Sequence, residues 1–429
     1  MRITRLTGAK ARSIPKFLRR NYLADPKVRS VVEEILADVE KRGDLALRDW
    51  TKKFGGPALS KAKLRVTSQE IESALHDLPA KVRKAILASR ANVDAFARKS
   101  LRKTWFTKNR QGGVAGERFD PFQRVGLYIP GGTAPLVSSA IMTTTLARAA
   151  GVPEIVTVTP CAPDGTVNSS LVAALSLCGA TEIYRIGGAQ AVAALAMGTK
   201  TIAPVQKIYG PGSVWVVEAK RQLFGRVAVD LLPGPSEVLV IADETARSSW
   251  IAADLLAQAE HGHGSAAILL TTSEEILRQV KAEIKRQQKL SSRKNELGKA
   301  LRNTTLILVE SLAQAARIAN EYAAEHVSIV TREPGNVSAS LTTSGAVFLG
   351  GMSPVAVGDF LAGPSHELPT GGAGKSFSGL TVDQFQRRTS VVRYNREALE
   401  KAEPLIRVFS EIEGLDAHGR SVSIRLGEA

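Results

Sequence analysis

RVGLYI at 124–129, EIVTVT at 154–159, TEIYRI at 181–186 and VQKIYG at 205–210 are short apolar runs bounded by Gly and Pro. Between them stand Ala-rich stretches with helical texture: SSAIMTTTLARAA (138–150), SSLVAALSLCG (169–179) and AQAVAALAMG (189–198). A continuously apolar strand is one buried on both faces, and joining it to a parallel neighbour takes a crossover long enough for a helix. The alternation therefore predicts a parallel sheet covered by helices. A second series follows, with SEVLVIAD (236–243), AAILLTT (266–272), TLILVE (305–310) and HVSIVT (326–331) again separated by helical patterns. Two α/β units are expected, over about 124–235 and 236–350.

Upstream, residues 27–52 carry Val28, Val31, Val32, Ile35, Leu36 and Val39 at the three-to-four spacing of an amphipathic helix. Thr67 and Glu70 have capping-box spacing ahead of further helix reaching about residue 99. The last 50 residues, beyond PTGGAGKSFSG, read as a small helical appendage. GGAGKS (371–376) is a Gly-rich turn and not a phosphate loop, because Pro369 stands where that motif needs its first Gly. No G-x-G-x-x-G follows any strand-like run, so the usual dinucleotide fingerprint is missing.

Composition narrows the class. The chain has 429 residues, 44% of them hydrophobic and 23% charged, as in ordinary globular proteins. No apolar run reaches membrane-span length. The basic N-terminus lacks the apolar stretch of a secretory signal, which leaves a presequence of mitochondrial type as the minor alternative. Cys161 and Cys178 are too few for a disulfide framework, and a reducing cytoplasm is the expected location. The net charge of +16 could suit nucleic acid, but the basic runs are scattered and lack interleaved aromatics, so no nucleic-acid partner is expected.

Histidine is scarce, and five of the six lie between 261 and 418. Gln258 and His261 sit three apart near a helix end that Gly262 closes, one turn from each other on one face. Asp359 and His366 are ordinary oxygen and nitrogen donors for zinc-like chemistry, separated by a loop. Glu325 and His326 form an acid–imidazole pair at a helix-to-strand junction, suited to proton transfer. His76 reads as a solvated or packed residue, and His263 lies in a Gly-flanked loop with no assigned role. The turns YIPGGTAPL (128–136), YGPGSVW (209–215) and LLPGPSEV (231–238) follow strand-like runs, where open α/β sheets bind ligands.

These runs together resemble the histidinol dehydrogenase family over nearly the whole chain, from KRGDLALRDWTKKFGG (41–56) to EGLDAH (413–418). The most specific pieces are VGLYIPGGTAPL, IGGAQAVAALAMGT, IYGPGSVWVVEAKR, LLPGPSEVLVIAD, LLAQAEHG and VGDFLAGPSHELPTGG. The resemblance implies oxidation of L-histidinol through L-histidinal to L-histidine with two NAD reduced. It implies one Zn2+ per subunit on the positions matching Gln258, His261, Asp359 and His418, the last supplied by the partner in a homodimer. Glu325 and His326 match the catalytic pair, as water activator and general base respectively. Ser236, His366 and Glu413 match substrate-contacting positions, alongside Gln258, His261, His326, Asp359 and His418. Tyr128 and Gln190 match cofactor contacts, and Ser213 stands where many members carry Asn. Ala324 replaces the usual Pro before the catalytic pair.

The implied fold is two incomplete Rossmann-like domains with small N- and C-terminal helical extensions. The expected division is an extension over 1–25, a discontinuous domain of 26–127 with 236–380 carrying most site residues, a cofactor-side domain over 128–235, and a dimer-engaging segment over 381–429. Two rival functions remain. One is a related dehydrogenase of another polar alcohol such as a sulfonated propanediol, which Glu413 would disfavour by repelling the sulfonate. The other is a non-catalytic basic protein that binds nucleic acid.

Overall fold

The computed structural model describes residues 1–6, 14–20, 25–57, 59–131, 135–262 and 264–427, so His263 and the middle of YIPGGTAPL lie outside the described residues. Both expected α/β units are present. Strands Arg124–Tyr128, Glu154–Thr159, Glu182–Arg185, Lys207–Tyr209 and Ala228–Val229 form one parallel sheet, with the 124–128 strand at its centre. Strands Glu237–Ala242, Ala266–Thr271, Thr304–Val309, His326–Val330 and Ala346–Leu349 form most of a second, six-stranded parallel sheet. Its sixth member is Arg2–Leu6, paired in parallel with 304–309 at one edge. The N-terminus thus begins as an edge strand, where a helical extension was expected.

The period-two geometry of a strand explains how one apolar run serves two helical layers. Val238, Val240 and Ala242 pack with helices Ser248–Ala259 and Glu274–Gln288, while Leu239 and Ile241 pack with helix Leu312–Tyr322 on the opposite face. In the five-stranded sheet, Val125, Leu127 and Ile155 face one core, and Tyr128, Val156 and Val158 face the other.

The N-terminal helices pack on the five-stranded sheet. Val32, Ile35, Val39, Leu47 and Trp50 share a core with Tyr128 and Val156. Ile86, Val93 and Ala97 share the other core with Val125 and Leu127. Helices Pro26–Arg42, Asp44–Lys53 and Ala80–Ser100 thus share cores with the five-stranded sheet, and Ser89 and Asn92 also hydrogen-bond Phe360 O and Leu361 O. The reason is long-range apolar complementarity, which sequence order does not reveal. The long 27–52 pattern is also two helices, Pro26–Arg42 and Asp44–Lys53, broken at Gly43 with φ +55°. The capping box forms as expected, Thr67 Oγ1 accepting from Glu70 N at 3.2 Å while Glu70 Oε2 accepts from Thr67 N at 2.8 Å.

A third sheet was not anticipated. Gln386–Arg393 pairs antiparallel with Val114–Pro121, which pairs with Trp105–Lys108. Only beyond it is the C-terminal appendage helical, as Arg396–Glu413 and Asp416–Leu426 packed on each other. Among the described residues no helix is long and apolar enough to cross a membrane.

Candidate active site

A cavity of about 240 Å3 lies where the carboxyl ends of the five-stranded sheet face the amino ends of the six-stranded one. From the first sheet come Ser139, Pro211 and Asp230, in segments that follow strands. From the second come Ser236 at the entry to strand 237–242, and Glu325 and His326 at the entry to strand 326–330. Open α/β sheets commonly bind ligands only beyond their carboxyl ends. Here the six-stranded sheet offers its amino edge, and the five-stranded sheet completes the site.

The loops reach it because backbone positions allow them to. Gly210 has φ +108°, and a Cβ there would lie 2.1 Å from Tyr128 O, so the chain turns toward the cavity only as glycine. Ala323 is the sole non-glycine with positive φ among the described residues, at +51°, and this left-handed residue ends helix Leu312–Tyr322. It swings the chain directly into Glu325 and His326.

Glu325 is buried, and its Oε2 accepts hydrogen bonds from Ser236 Oγ at 2.5 Å and Glu237 N at 2.8 Å. Burial raises its carboxyl above the ordinary range, although His326 and both donors pull the other way. His326 Nδ1 lies 3.1 Å from Glu237 O and 3.5 Å from Glu325 Oε2. A carbonyl cannot donate, so Nδ1 carries the proton in that hydrogen bond and Nε2 is the basic nitrogen. That Nε2 lies 3.8 Å from Asp359 Oδ1.

His366 is fixed in the same way. Its Nδ1 donates to Asp359 O at 2.9 Å, leaving Nε2 to accept from Ser139 Oγ at 3.1 Å. Burial lowers its pKa, opposed by the hydrogen bond to Asp359 and that residue's charge. His261 also lines the cavity. Solvent reaches its ring, but desolvation by the surrounding protein still lowers its pKa, with Asp359 opposing and His326 reinforcing the fall.

The expected metal donors are partly together. His261 and Asp359 line one cavity, and Gln258, a residue 3% exposed, lies one turn before His261. Gln258 Nε2 has no hydrogen-bond partner among the described residues; being a donor it would not meet a cation, so a metal would take this amide through Oε1. No group of three or more His, Cys, Asp and Glu among the described residues could hold an ion. One imidazole, one carboxylate and one amide suit zinc as an incomplete set awaiting a further donor. His418 and Glu413 are not at this cavity in their own chain; both are exposed on the C-terminal helices.

Of the cofactor-side residues, Gln190 lines a second cleft of about 320 Å3 with Thr51, Phe54, Gly187, Gly188 and Trp215 among others, while Tyr128 and Ser213 are not among its lining residues. Tyr128 OH accepts from Gly188 N at 3.1 Å, and Gln190 Nε2 donates to Thr51 Oγ1 at 3.3 Å. Ser213 is exposed at the start of helix Val214–Leu223, two residues before Trp215, and makes no capping hydrogen bond. His76 is a solvated side chain beside Asp77.

Sequence reading missed Ser139, Asp230 and Glu367. Ser139 lies three residues beyond the end of the flagged turn 128–136, so its position was a usable signal. Glu367 is buried beside Asp230 and the fully buried Lys220, and burial with Asp230 pushes its carboxyl well up. Lys220 Nζ donates to Gly210 O at 3.0 Å and pairs with Asp230, which accepts from Gly210 N at 2.7 Å. No periodicity announces such a cluster.

Comparison with known proteins follows this geometry. A profile of the family described as histidinol dehydrogenase matches residues 18–426. The chain is 42% identical over 411 residues to histidinol dehydrogenase of Heliobacterium mobile, covering 96% of each. It is 43% identical over 399 residues to that of Geobacillus kaustophilus, covering 93% of this chain and 94% of the relative. The crystal structure of histidinol dehydrogenase from Elizabethkingia anophelis superposes with a TM-score of 0.94 at 33% identity, covering 99% of this chain and 98% of that one. Matches this long, on a fold whose cavity gathers His261, Glu325, His326, Asp359 and His366, lead to one conclusion: the chain belongs to the histidinol dehydrogenase family.

Proposed function

We propose that this oxidoreductase converts L-histidinol through L-histidinal to L-histidine, with two NAD reduced. The observation that carries the reading is the hydrogen bond from His326 Nδ1 to Glu237 O, which leaves Nε2 free to face a cavity that also holds Glu325, Asp359, His261 and His366. NAD, seated by Tyr128, Gln190 and Ser213, supplies the hydride acceptor. Zinc, held by Gln258, His261 and Asp359 with His418 of a second copy, supplies Lewis acidity.

The chain's own groups do the proton work. His326 Nε2 takes the hydroxyl proton while its Nδ1–H stays on Glu237 O, which keeps the basic nitrogen aimed into the cavity. The aldehyde must then add water before the second oxidation, and Glu325 is the acid–base group available for that water. Its raised pKa makes the carboxylate a better base than an exposed one. His366 and Ser139 hold and orient the substrate, alongside Ser236.

A homodimer completes the site. The C-terminal helix exposes Leu405, Val408, Phe409 and Ile412, the last two 64% and 75% accessible, an apolar face with no cover in its own chain among the described residues. Burying it on a second copy would carry Glu413 and His418 toward that copy's cavity, where Glu413 would meet the substrate amine.

The test is NADH yield from L-histidinol by metal-stripped and zinc-restored protein. Two NADH per histidinol are expected after zinc, none before it, and His326→Ala should lower turnover by about 10²–10⁴-fold. One NADH per histidinol would reject the two-step assignment.

A further inference from the structure

Arg20 lies outside the cavity, yet it grips both segments that deliver the catalytic pair. Its side chain is 13% exposed and its guanidinium forms an ion pair with Glu237, whose side chain is fully buried. It also donates to Tyr322 O and lies over the Tyr322 ring, 3.5 Å from the centroid. Each contact bears on the site. Glu237 gives its backbone N to Glu325 Oε2 at 2.8 Å and receives His326 Nδ1 on its backbone O at 3.1 Å. Tyr322 ends the helix before left-handed Ala323, three residues from Glu325. The Glu237 carboxylate accepts in addition from Gly371 N at 3.2 Å, in the loop beyond His366.

We propose that Arg20 is a positioning residue for the Glu325–His326 pair. By joining the Glu237 carboxylate to the Tyr322 carbonyl, it sets the separation of the two strand entries whose backbone aims both catalytic groups. A planar fork with several donors can hold both acceptors at fixed angles, as a lysine ammonium cannot. The role is carried by an N-terminal residue far in sequence from every other site residue. It rests on the oxidation proposed above.

The side chain also borders a separate cavity of about 320 Å3, lined by Arg20, Tyr322 and Gly264 among others, so truncating Arg20 would open the space beside the Glu237 carboxylate to that cavity. The experiment compares Arg20→Ala with wild-type holoenzyme for Tm, KM for histidinol and kcat, with and without millimolar guanidinium chloride. Lost aim should lower kcat about 10–100-fold with KM little changed, and guanidinium should restore part of it. Because Arg20→Ala takes a cation away from a buried carboxylate, Arg20→Ala/Glu237→Gln provides a charge-balanced companion. It should show the same kcat loss without guanidinium rescue. Folded variants with wild-type kcat, or a kcat loss that merely tracks Tm and resists guanidinium, would overturn the proposal. Failure of the wild type to oxidise histidinol would instead sink the functional reading beneath it.

Discussion

Removing the Ser236 hydroxyl is the sharpest probe of Glu325. That carboxylate has two donors on Oε2, Ser236 Oγ at 2.5 Å and Glu237 N at 2.8 Å, and it is buried. Both donors favour its charged form, while burial favours the neutral acid and is the largest influence. A hydrogen bond to a charged group contributes about 1.5–3 kcal/mol, so Ser236→Ala should favour the protonated acid by roughly that amount. If Glu325 must be ionised to activate water, the acid limb of turnover moves to higher pH. At a pH on that limb, activity falls by about ten-fold or more, and it recovers as pH rises. The assay is kcat against pH for the second oxidation, starting from L-histidinal so that the first proton transfer is bypassed. Ser236→Thr, which keeps a hydroxyl, should retain more of the wild-type profile. An acid limb unmoved in Ser236→Ala would refute the role given to Glu325.

The other predictions concern assembly, stability and the metal. Phe409→Asp with Ile412→Asp should yield folded monomers without histidinol oxidation; light scattering that still shows dimers, or active monomers, would contradict the shared site. Lys220→Met leaves Asp230 buried without its cation and should destabilise the fold by about 3–5 kcal/mol, which Lys220→Met/Asp230→Asn should largely recover in chemical denaturation. Asp254, which burial pushes up to about 6 from 3.8, holds its proton more tightly folded than unfolded. Stability therefore falls as pH rises between those values, and Asp254→Asn should be more stable than wild type at pH 8 by up to about 3 kcal/mol but nearly equal at pH 4. Asp359→Ala should lose zinc in equilibrium dialysis while keeping its fold; retained zinc would remove Asp359 from the donor set.

Much of the fold was legible along the chain. The apolar runs at 124–129, 154–159, 236–243 and 326–331 became strands because runs of this kind bury both faces. The Thr67–Glu70 cap formed because its donors and acceptors are three residues apart. Arg2–Leu6 was unreadable as a strand, since its pairing partner lies at 305–309. The 386–393 strand, paired with 114–121, opens with five consecutive polar residues and so resembles an exposed segment. In the site, Glu325 and His326 stood out as a pair, and Ser139 had only its nearness to a turn, while Glu367 and Arg20 gave no local sign of function.

By itself, then, the order of residues determined the α/β class, the helix caps, and the family to which the motifs belong, because those depend on short-range periodicity and recognisable runs. Only the tertiary structure decided that helices from 26–100 cover the five-stranded sheet, and that one sheet's carboxyl ends oppose the other's amino ends. It also assigned the basic nitrogen of His326, through a carbonyl 89 residues away. Those outcomes depend on apolar surfaces matching across long stretches of chain and on hydrogen bonds between strand entries, and neither leaves a trace in local sequence.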